Sequence, residues 1–334
     1  MGIVKSVYRS IKLLFIENPF KRYKDLKLEF GSLYARKAVW LQAVAILSDY
    51  KINKYNPFVL SYLEEFYKPV IEQYYLQNNT AVNNTGERIP VWVLWWQGLD
   101  NAPDIIKVAV ASQQQYLNKD LFDYHFLTKD NYCDYVQLDE IILEKMEMGR
   151  ITFTHFSDIL RMELLKKYGG LWLDSTIYMT DDFEEAFYKS DFYTNKKNTY
   201  PNFIRKVVSK GRWTGYFLKG NKDNILFCFM VDAFSYYWKK HNTLIDYYLI
   251  DYTMDVAYNN IPAVKKMIDE VPNNNPEIFG LNASMNSEYD SEIIDSITSK
   301  TAIHKLSYKH KRTLRTSNNK KTIWGYLYEK WDGR

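Results

Sequence analysis

The sequence predicts an α/β fold, a sheet of buried strands flanked by helices, behind an N-terminal helical extension. Three observations carry this. Between residues 88 and 180, apolar runs of strand composition alternate with stretches of helical periodicity, the order that builds one sheet with helices packed on it. Phe156 to Tyr168 reads as a helix that stops on Gly169-Gly170 and passes directly into Leu171-Trp172-Leu173, a strand. Gln77 to Gly86 (QNNTAVNNTG) is a polar, loop-forming stretch ahead of that block. The chain therefore divides into an N-terminal helical region, 1–85, and a larger α/β domain, 86–334.

In chain order, Met1 to Phe20 has the pattern of an amphipathic helix. At about 100° per residue from Ile3, Val4, Val7, Tyr8, Ile11, Leu14 and Phe15 share one arc and Lys5, Arg9 and Lys12 another. Helical stretches follow at 33–49 and 57–76. Arg88 to Gly98 reads as a buried strand ending at Gly98. Asn101 and Pro103 open a helix to Leu117. Tyr124 to Leu127 is a second short strand, and Leu138 to Met148 is helical. Ser157 is placed to cap the next helix through its hydroxyl, with Leu160, Leu164, Leu165 and Tyr168 at helical spacing. Ile177-Tyr178-Met179 has strand composition. Residues 181–223 read as short strands and turns, 224–238, 242–257 and 262–271 as helices, and 273–276 as a loop. Ala302 to Lys309 is a strand or turn, and the basic stretch from His310 to Lys321 is expected to be a solvated, mobile segment.

Composition narrows the function classes. The 334 residues are 46% hydrophobic and 25% charged, ordinary for a globular protein with ample core. Aromatic content is 17%, with 29 Tyr and 9 Trp, which suits stacking on sugars or bases and equally suits a tyrosine-rich core. A net charge of +4 is too mild for a nucleic-acid-binding protein. Cys133 and Cys228 lack metal-ligand spacing and read as free thiols of a reducing cytosol. No apolar run has the length of a membrane span, and no signal peptide is evident. Residues 1–27 hold seven basic side chains and two acids, so the remaining 307 sum to −1. A basic amphipathic helix ahead of a near-neutral body suggests a cytoplasmic protein docked on the inner face of the cell membrane through anionic lipid; packing of that helix on its own domain is the alternative.

The candidate site centres on the helix–Gly-Gly–strand block. With Asp158 at zero, Arg161 lies at about 300° and Leu165 at about 340°, whereas Lys166 and Lys167 lie at about 80° and 180°. Asp158 and Arg161 thus point with the large apolar side chains, where a charge pair costs desolvation unless something else uses it. The plainer reading is an i,i+3 surface pair. Ile159, at about 100°, does not fit the split. Asp174-Ser175-Thr176 puts a carboxylate and two hydroxyls at the end of a buried strand, where a charge needs a partner, a metal or a ligand. Trp95, Trp96 and Gln97 follow the first strand, although tryptophan in a strand is commonly core. His304-Lys305-Leu306 precedes the basic segment, although a single late histidine is commonly structural.

S-D-x-x-R in Ser157 to Arg161, followed by G-G-x-x-x-D in Gly169 to Asp174, resembles the donor-site core of GT-A glycosyltransferases. The capsular polysaccharide synthesis group and the toxin-like, DXD-sugar-binding transferases are the most similar. Ile89-Pro90-Val91-Trp92-Val93-Leu94-Trp95-Trp96-Gln97-Gly98 resembles the first strand of the same family. The resemblance covers roughly 88–308 and implies a Rossmann-like nucleotide-sugar-binding sheet in a catalytic domain at 86–334. It implies that Asp158, Arg161 and Asp174 serve catalysis by contacting donor sugar and nucleotide. It further implies that Trp95, Trp96 and Gln97 neighbour base or ribose, that Lys305 meets the diphosphate, and that Asp174, Thr176 and His304 hold Mn²⁺ or Mg²⁺. The family's D-x-D is here Asp174-Ser175-Thr176, so one carboxylate is missing from that metal set. The activity implied is retaining transfer of a sugar from a nucleotide-sugar, a UDP-sugar foremost, to a lipid-linked saccharide in capsular or other surface polysaccharide synthesis. A protein-modifying transferase and a catalytically inactive, membrane-associated scaffold are the alternatives. No Gly-rich phosphate loop, G-x-S-x-G, H-E-x-x-H or Cys-His nucleophile signature occurs.

Overall fold

The computed structural model describes residues 19–47, 54–79, 88–196 and 207–331, with the side chains of 43–47 left aside. The amphipathic stretch 1–20 lies outside these residues except for Pro19 and Phe20, as does most of the loop 77–86. Three helices come first, α1 (Pro19–Leu47), α2 (Asn56–Phe66) and α3 (Lys68–Tyr74). The predicted helix 57–76 is thus two helices. Pro69 has no N–H to give the carbonyl four residues back, and the chain breaks at Tyr67.

A mixed five-stranded sheet forms the centre, in the order β2-β1-β3-β6-β5. β1 (Ile89–Leu94) lies parallel to β2 (Phe122–Leu127) on one side and to β3 (Gly170–Leu173) on the other. β6 (Phe217–Gly220) runs antiparallel to β3, and β5 (Phe192–Thr194) antiparallel to β6. From β1 the chain moves outward to β2 and then returns to the opposite side as β3. The strand order therefore reverses between β1 and β3, where open α/β sheets leave a crevice beyond the strands' carboxyl ends.

Two glycines make the turn into β3 possible. Gly169 and Gly170 both have positive φ, 68° and 91°, and a Cβ on Gly170 would collide with the Pro90 carbonyl of β1. The helix that leads into them, α6 (Phe153–Tyr168), packs on β1 and β3 and against α8 (Ile225–Lys240). Between β1 and α6 come α4 (Asp104–Tyr116) and α5 (Glu140–Glu147). The short β4 (Ile177–Met179) pairs antiparallel with β7 (Ile303–Lys305) as a separate two-stranded ribbon beside α4. The helices α7 (Glu185–Lys189), α9 (Leu249–Asn260), α10 (Pro262–Glu270), α11 (Gly280–Ser284), α12 (Ser291–Thr298) and α13 (Ile323–Trp331) complete the described chain.

The N-terminal helices share this core. Leu26, Ala35, Val59 and Tyr67 belong to the same buried cluster as Val91, Leu165 and Leu173. Tyr55 donates to Asp246 at 2.8 Å, and Arg22 donates to the carbonyls of Leu244 and Ile245. Those contacts hold 242–248 as a loop, so α9 begins at Leu249 and not at Asn242. The basic segment 310–321 is also anchored, contrary to expectation. Arg312 donates to Asn282 at 2.5 Å, Asn286 to the Lys311 carbonyl at 3.0 Å, and Arg315 pairs with Lys321 before α13.

Candidate active site

α6 starts one turn earlier than Ser157 would place it. Thr152 is its N-cap, accepting from the His155 N–H at 3.2 Å, and Ser157 lies within the helix with its side chain at a cleft. Asp158 and Arg161 are each only 5% exposed and are joined at 2.7 Å between Oδ1 and Nη1. His155 supports the pair from below. Its Nε2 accepts from the donor-only Trp238 indole at 3.0 Å, which leaves the ring proton on Nδ1, 3.5 Å from Asp158 Oδ2. Ile159 is buried as well, because α6 is covered by the sheet on one side and α8 on the other.

Asp158 aims Arg161 at the end of β3. The guanidinium lies 4.7 Å over the Trp172 ring, and Nη2 is 3.7 Å from Asp174 Oδ1. That carboxylate oxygen also accepts from the Trp172 indole at 2.9 Å. The other oxygen accepts from Lys305 Nζ at 2.5 Å. Ile177 pairs with Lys305 across the β4–β7 ribbon, which brings Lys305 beside Thr176, whose hydroxyl accepts from the same ammonium at 2.6 Å. Lys305 also lies 4.7 Å over Tyr216, whose carbonyl accepts from the Asp174 N–H. Burial pushes the Asp174 carboxyl up, but Lys305 and then Arg161 outweigh it and hold the group below its ordinary range.

These side chains border a cleft of about 830 Å³ beyond the carboxyl ends of β1 and β3. Trp95, Trp96 and Gln97 form one wall, with Trp95 edge-on to Tyr308 at 5.4 Å. Arg161, Asp174 and Thr176 form the floor, and Lys305 to His310 the facing wall. Arg161, Lys305 and Lys309 face one lining carboxylate, Asp174, so the cleft favours an anionic ligand. Trp95 Nε1 and Arg161 Nε are buried without a hydrogen-bond partner among the described residues.

Trp95, Trp96, Gln97, Arg161, Asp174, Thr176 and Lys305 thus meet in one place, with Asp158 directly behind Arg161. His304 does not join them, and its expected metal role is corrected. Successive side chains of a strand point to opposite faces, so Lys305 toward the cleft sends His304 into the core. There it is fully buried, Nε2 lies 3.1 Å from the Thr180 hydroxyl, and burial pushes the imidazole down to about 4. The expected metal set does not fit a divalent cation. Both Asp174 oxygens already face cations, and the Lys305 ammonium bridges Asp174 and Thr176 where such an ion would bridge two acidic ligands. No group of three or more His, Cys, Asp or Glu side chains suited to an ion occurs among the described residues.

Sequence reasoning missed Trp172, Tyr216, Asn282, Tyr308 and Lys309 as neighbours of the cleft. Lys309 was legible in principle, because it lies in the basic stretch that follows Lys305, whereas Tyr308 was not, because β7 ends at Lys305 and no strand alternation extends to it. Tyr216 was not, because only the β3–β6 register brings it to Asp174.

An α/β sheet with a cationic, aromatic-lined cleft at its switch point defines the class of open α/β proteins with a ligand crevice beyond the carboxyl ends of the strands. Within that class the chain belongs to the capsular polysaccharide synthesis protein family, whose profile matches residues 44–327. No curated protein matches. Among solved structures, the apo form of the WbbM bifunctional glycosyltransferase is similar at 10% identity and a TM-score of 0.42, over 76% of this chain. The match spans only 51% of that longer protein. The PaToxG glycosyltransferase is similar at 11% identity and a TM-score of 0.34, over 73% of this chain and 94% of its own.

Proposed function

We propose that this chain is a glycosyltransferase that moves a sugar from a nucleotide-sugar, a UDP-sugar foremost, to a lipid-linked saccharide acceptor in capsular or other surface polysaccharide synthesis. The observation that carries the reading is the buried Arg161, held by Asp158 and aimed at Asp174 at the end of β3, whose other oxygen meets Lys305. Burying such a pair is costly, and it is reasonable only where a ligand uses it.

The chemistry follows from the walls. The indole of Trp95 and the phenol of Tyr308 offer surfaces for the base and ribose. Lys305, Arg161 and Lys309 offset the charge that develops on the departing diphosphate. Arg161 and Asp174 can orient the sugar through charge-assisted hydrogen bonds to its hydroxyls. Transfer with retention, as the family resemblance implies, has the acceptor hydroxyl approach from the leaving-group side, and the departing phosphate can take its proton. Lys305 fills the place between Asp174 and Thr176, so this reading routes no step through a metal ion. The protein would work at the cytoplasmic face of the membrane, docked in part by the basic stretch 1–20. An inactive scaffold is favoured by one feature alone, Thr176 in place of a second acid.

Calorimetric titration of UDP and other nucleoside diphosphates tests the reading. Binding to the wild type, weakened about ten-fold or more by Trp95→Ala and by Lys305→Met, is expected. Absence of binding by every nucleotide would overturn it.

A further inference from the structure

The long first helix presents a face that the cleft does not use. α1 buries Leu26 before its break at Gly31, and Ala35, Ala38 and Leu41 after it. The opposite arc of the first half exposes Phe20, Lys21, Lys24, Lys27 and Leu28, which span about 120° around the helix. The second half, beyond the break at Gly31, exposes Leu33, Arg36, Lys37 and Trp40 on an arc of about 100° of its own, opposite the residues it buries. Phe20, Leu28, Leu33 and Trp40 are 84%, 76%, 77% and 61% exposed. Four large apolar side chains therefore share these arcs with five cations and no acid. The two acids of this stretch turn elsewhere. Asp25 is half-buried, and Glu29 accepts from the Asn242 N–H at 3.0 Å.

This composition selects the occupant. A solvated helix face ordinarily mixes both signs of charge and carries few large apolar groups. A second copy of the chain, meeting this face by two-fold symmetry, would set cations against cations. An anionic lipid surface satisfies both components, apolar side chains entering the headgroup boundary with Trp40 as an interfacial anchor and Lys and Arg meeting lipid phosphates.

α1 is also tied to the cleft. Arg22, on its inward side, donates to the carbonyls of Leu244 and Ile245 at 2.9 and 2.5 Å. Tyr55 of α2's N-terminal boundary holds Asp246 in the same loop. The next residue, Tyr247, lines the cleft. We infer that the exposed face of α1 docks on an anionic membrane surface, and that the Arg22 clamp ties the cleft wall carrying Tyr247 to the docked helix. The docking stands on α1 alone; only its use, presenting the cleft to a lipid-linked acceptor, rests on the transferase reading.

The test is co-sedimentation of the full chain with phosphatidylglycerol–phosphatidylcholine vesicles and with phosphatidylcholine alone. Two variants are compared, one carrying Phe20→Ser, Leu28→Ser, Leu33→Ser and Trp40→Ser, the other Lys21→Gln, Lys24→Gln, Lys27→Gln, Arg36→Gln and Lys37→Gln. Wild-type protein should bind the anionic vesicles and lose binding as salt rises, and each variant should bind about ten-fold less or weaker still. Nucleotide binding, measured without vesicles, should be unchanged in both, so its loss in wild type would count against the transferase reading and not against docking. Should the apolar variant fail to fold, the charge variant carries the test. Equal vesicle binding by wild type and variants would overturn the inference. So would a wild-type dimer that the variants dissociate.

Discussion

Replacing Lys305 with Met removes one ammonium and keeps much of the side chain's bulk. The ammonium donates to Asp174 at 2.5 Å and to Thr176 at 2.6 Å, and its side chain is 19% exposed. Losing a charge-assisted bond at a half-buried site costs about 1–3 kcal/mol, with Arg161 at 3.7 Å left as the carboxylate's remaining cation. For a chain of this size that is a fall of roughly 1–4 °C in Tm. Catalysis should suffer more. A cation that meets the charge developing on a departing diphosphate is worth about 10²–10³ in kcat. The acid side changes too. In the wild type the Asp174 carboxyl is held low, so its stabilising contribution is present above the unfolded carboxyl's value of about 4 and is lost as pH falls through the lower folded value. Without Lys305 the folded value moves back toward the unfolded one, so this contribution shrinks and the acid-side slope of stability flattens. The assay is steady-state release of nucleoside diphosphate beside thermal melts from pH 3 to pH 8. A variant that melts lower but keeps kcat/KM within two- to three-fold would show that Lys305 is only half of an ion pair, and would refute its role toward the diphosphate.

Three further outcomes are expected. Arg161→Lys keeps the charge but loses the planar fork and the stacking on Trp172, and should reduce turnover by about 10²-fold with little change in far-UV circular dichroism; near-wild-type activity would make the Asp158–Arg161 pair structural. Dialysis against EDTA should leave nucleotide binding within about three-fold, because Lys305 stands where an ion would be needed, and a loss restored by Mn²⁺ would contradict that. His304 is held neutral in the fold, so the unfolded chain binds the extra proton between pH 6.5 and about 4, and stability should fall as pH drops through that window. His304→Gln should flatten that part of the Tm-against-pH curve, and an unchanged slope would refute the assignment.

The path from helix to strand at 153–174 was legible because its signals are local. A periodic helix, two glycines and an apolar run need no tertiary information. The angular separation of Asp158 and Arg161 from Lys166 and Lys167 was legible for the same reason, although Ile159 blurred it, since a helix packed on two sides has no clean polar face. Locally invisible features were lost. Thr152 displaced Ser157 as the cap because both are plausible caps and only the burial of His155 and Phe156 in the first turn decides between them. The anchoring of 310–321 depends on Asn282 and Asn286, distant in sequence. The alternation that turns His304 inward while Lys305 faces the cleft was readable once that segment was taken as a strand, but its direction is set by pairing with Ile177 to Met179. Charge pairing across 131 residues, Lys305 with Asp174, has no local trace at all.

Breakage of the bond between a sugar and a nucleoside diphosphate in this cleft is directly measurable. Purified protein should be incubated with a panel of nucleotide-sugars and a lipid-linked saccharide acceptor, and the nucleoside diphosphate released should be quantified for wild type and for Asp158→Asn and Arg161→Ala. Release from one donor by the wild type, falling about 10²-fold or more in both variants while their melts stay cooperative, is the expected result. Release that is equal in all three proteins, or absent from every donor in a folded wild type that binds nucleotide, would contradict it.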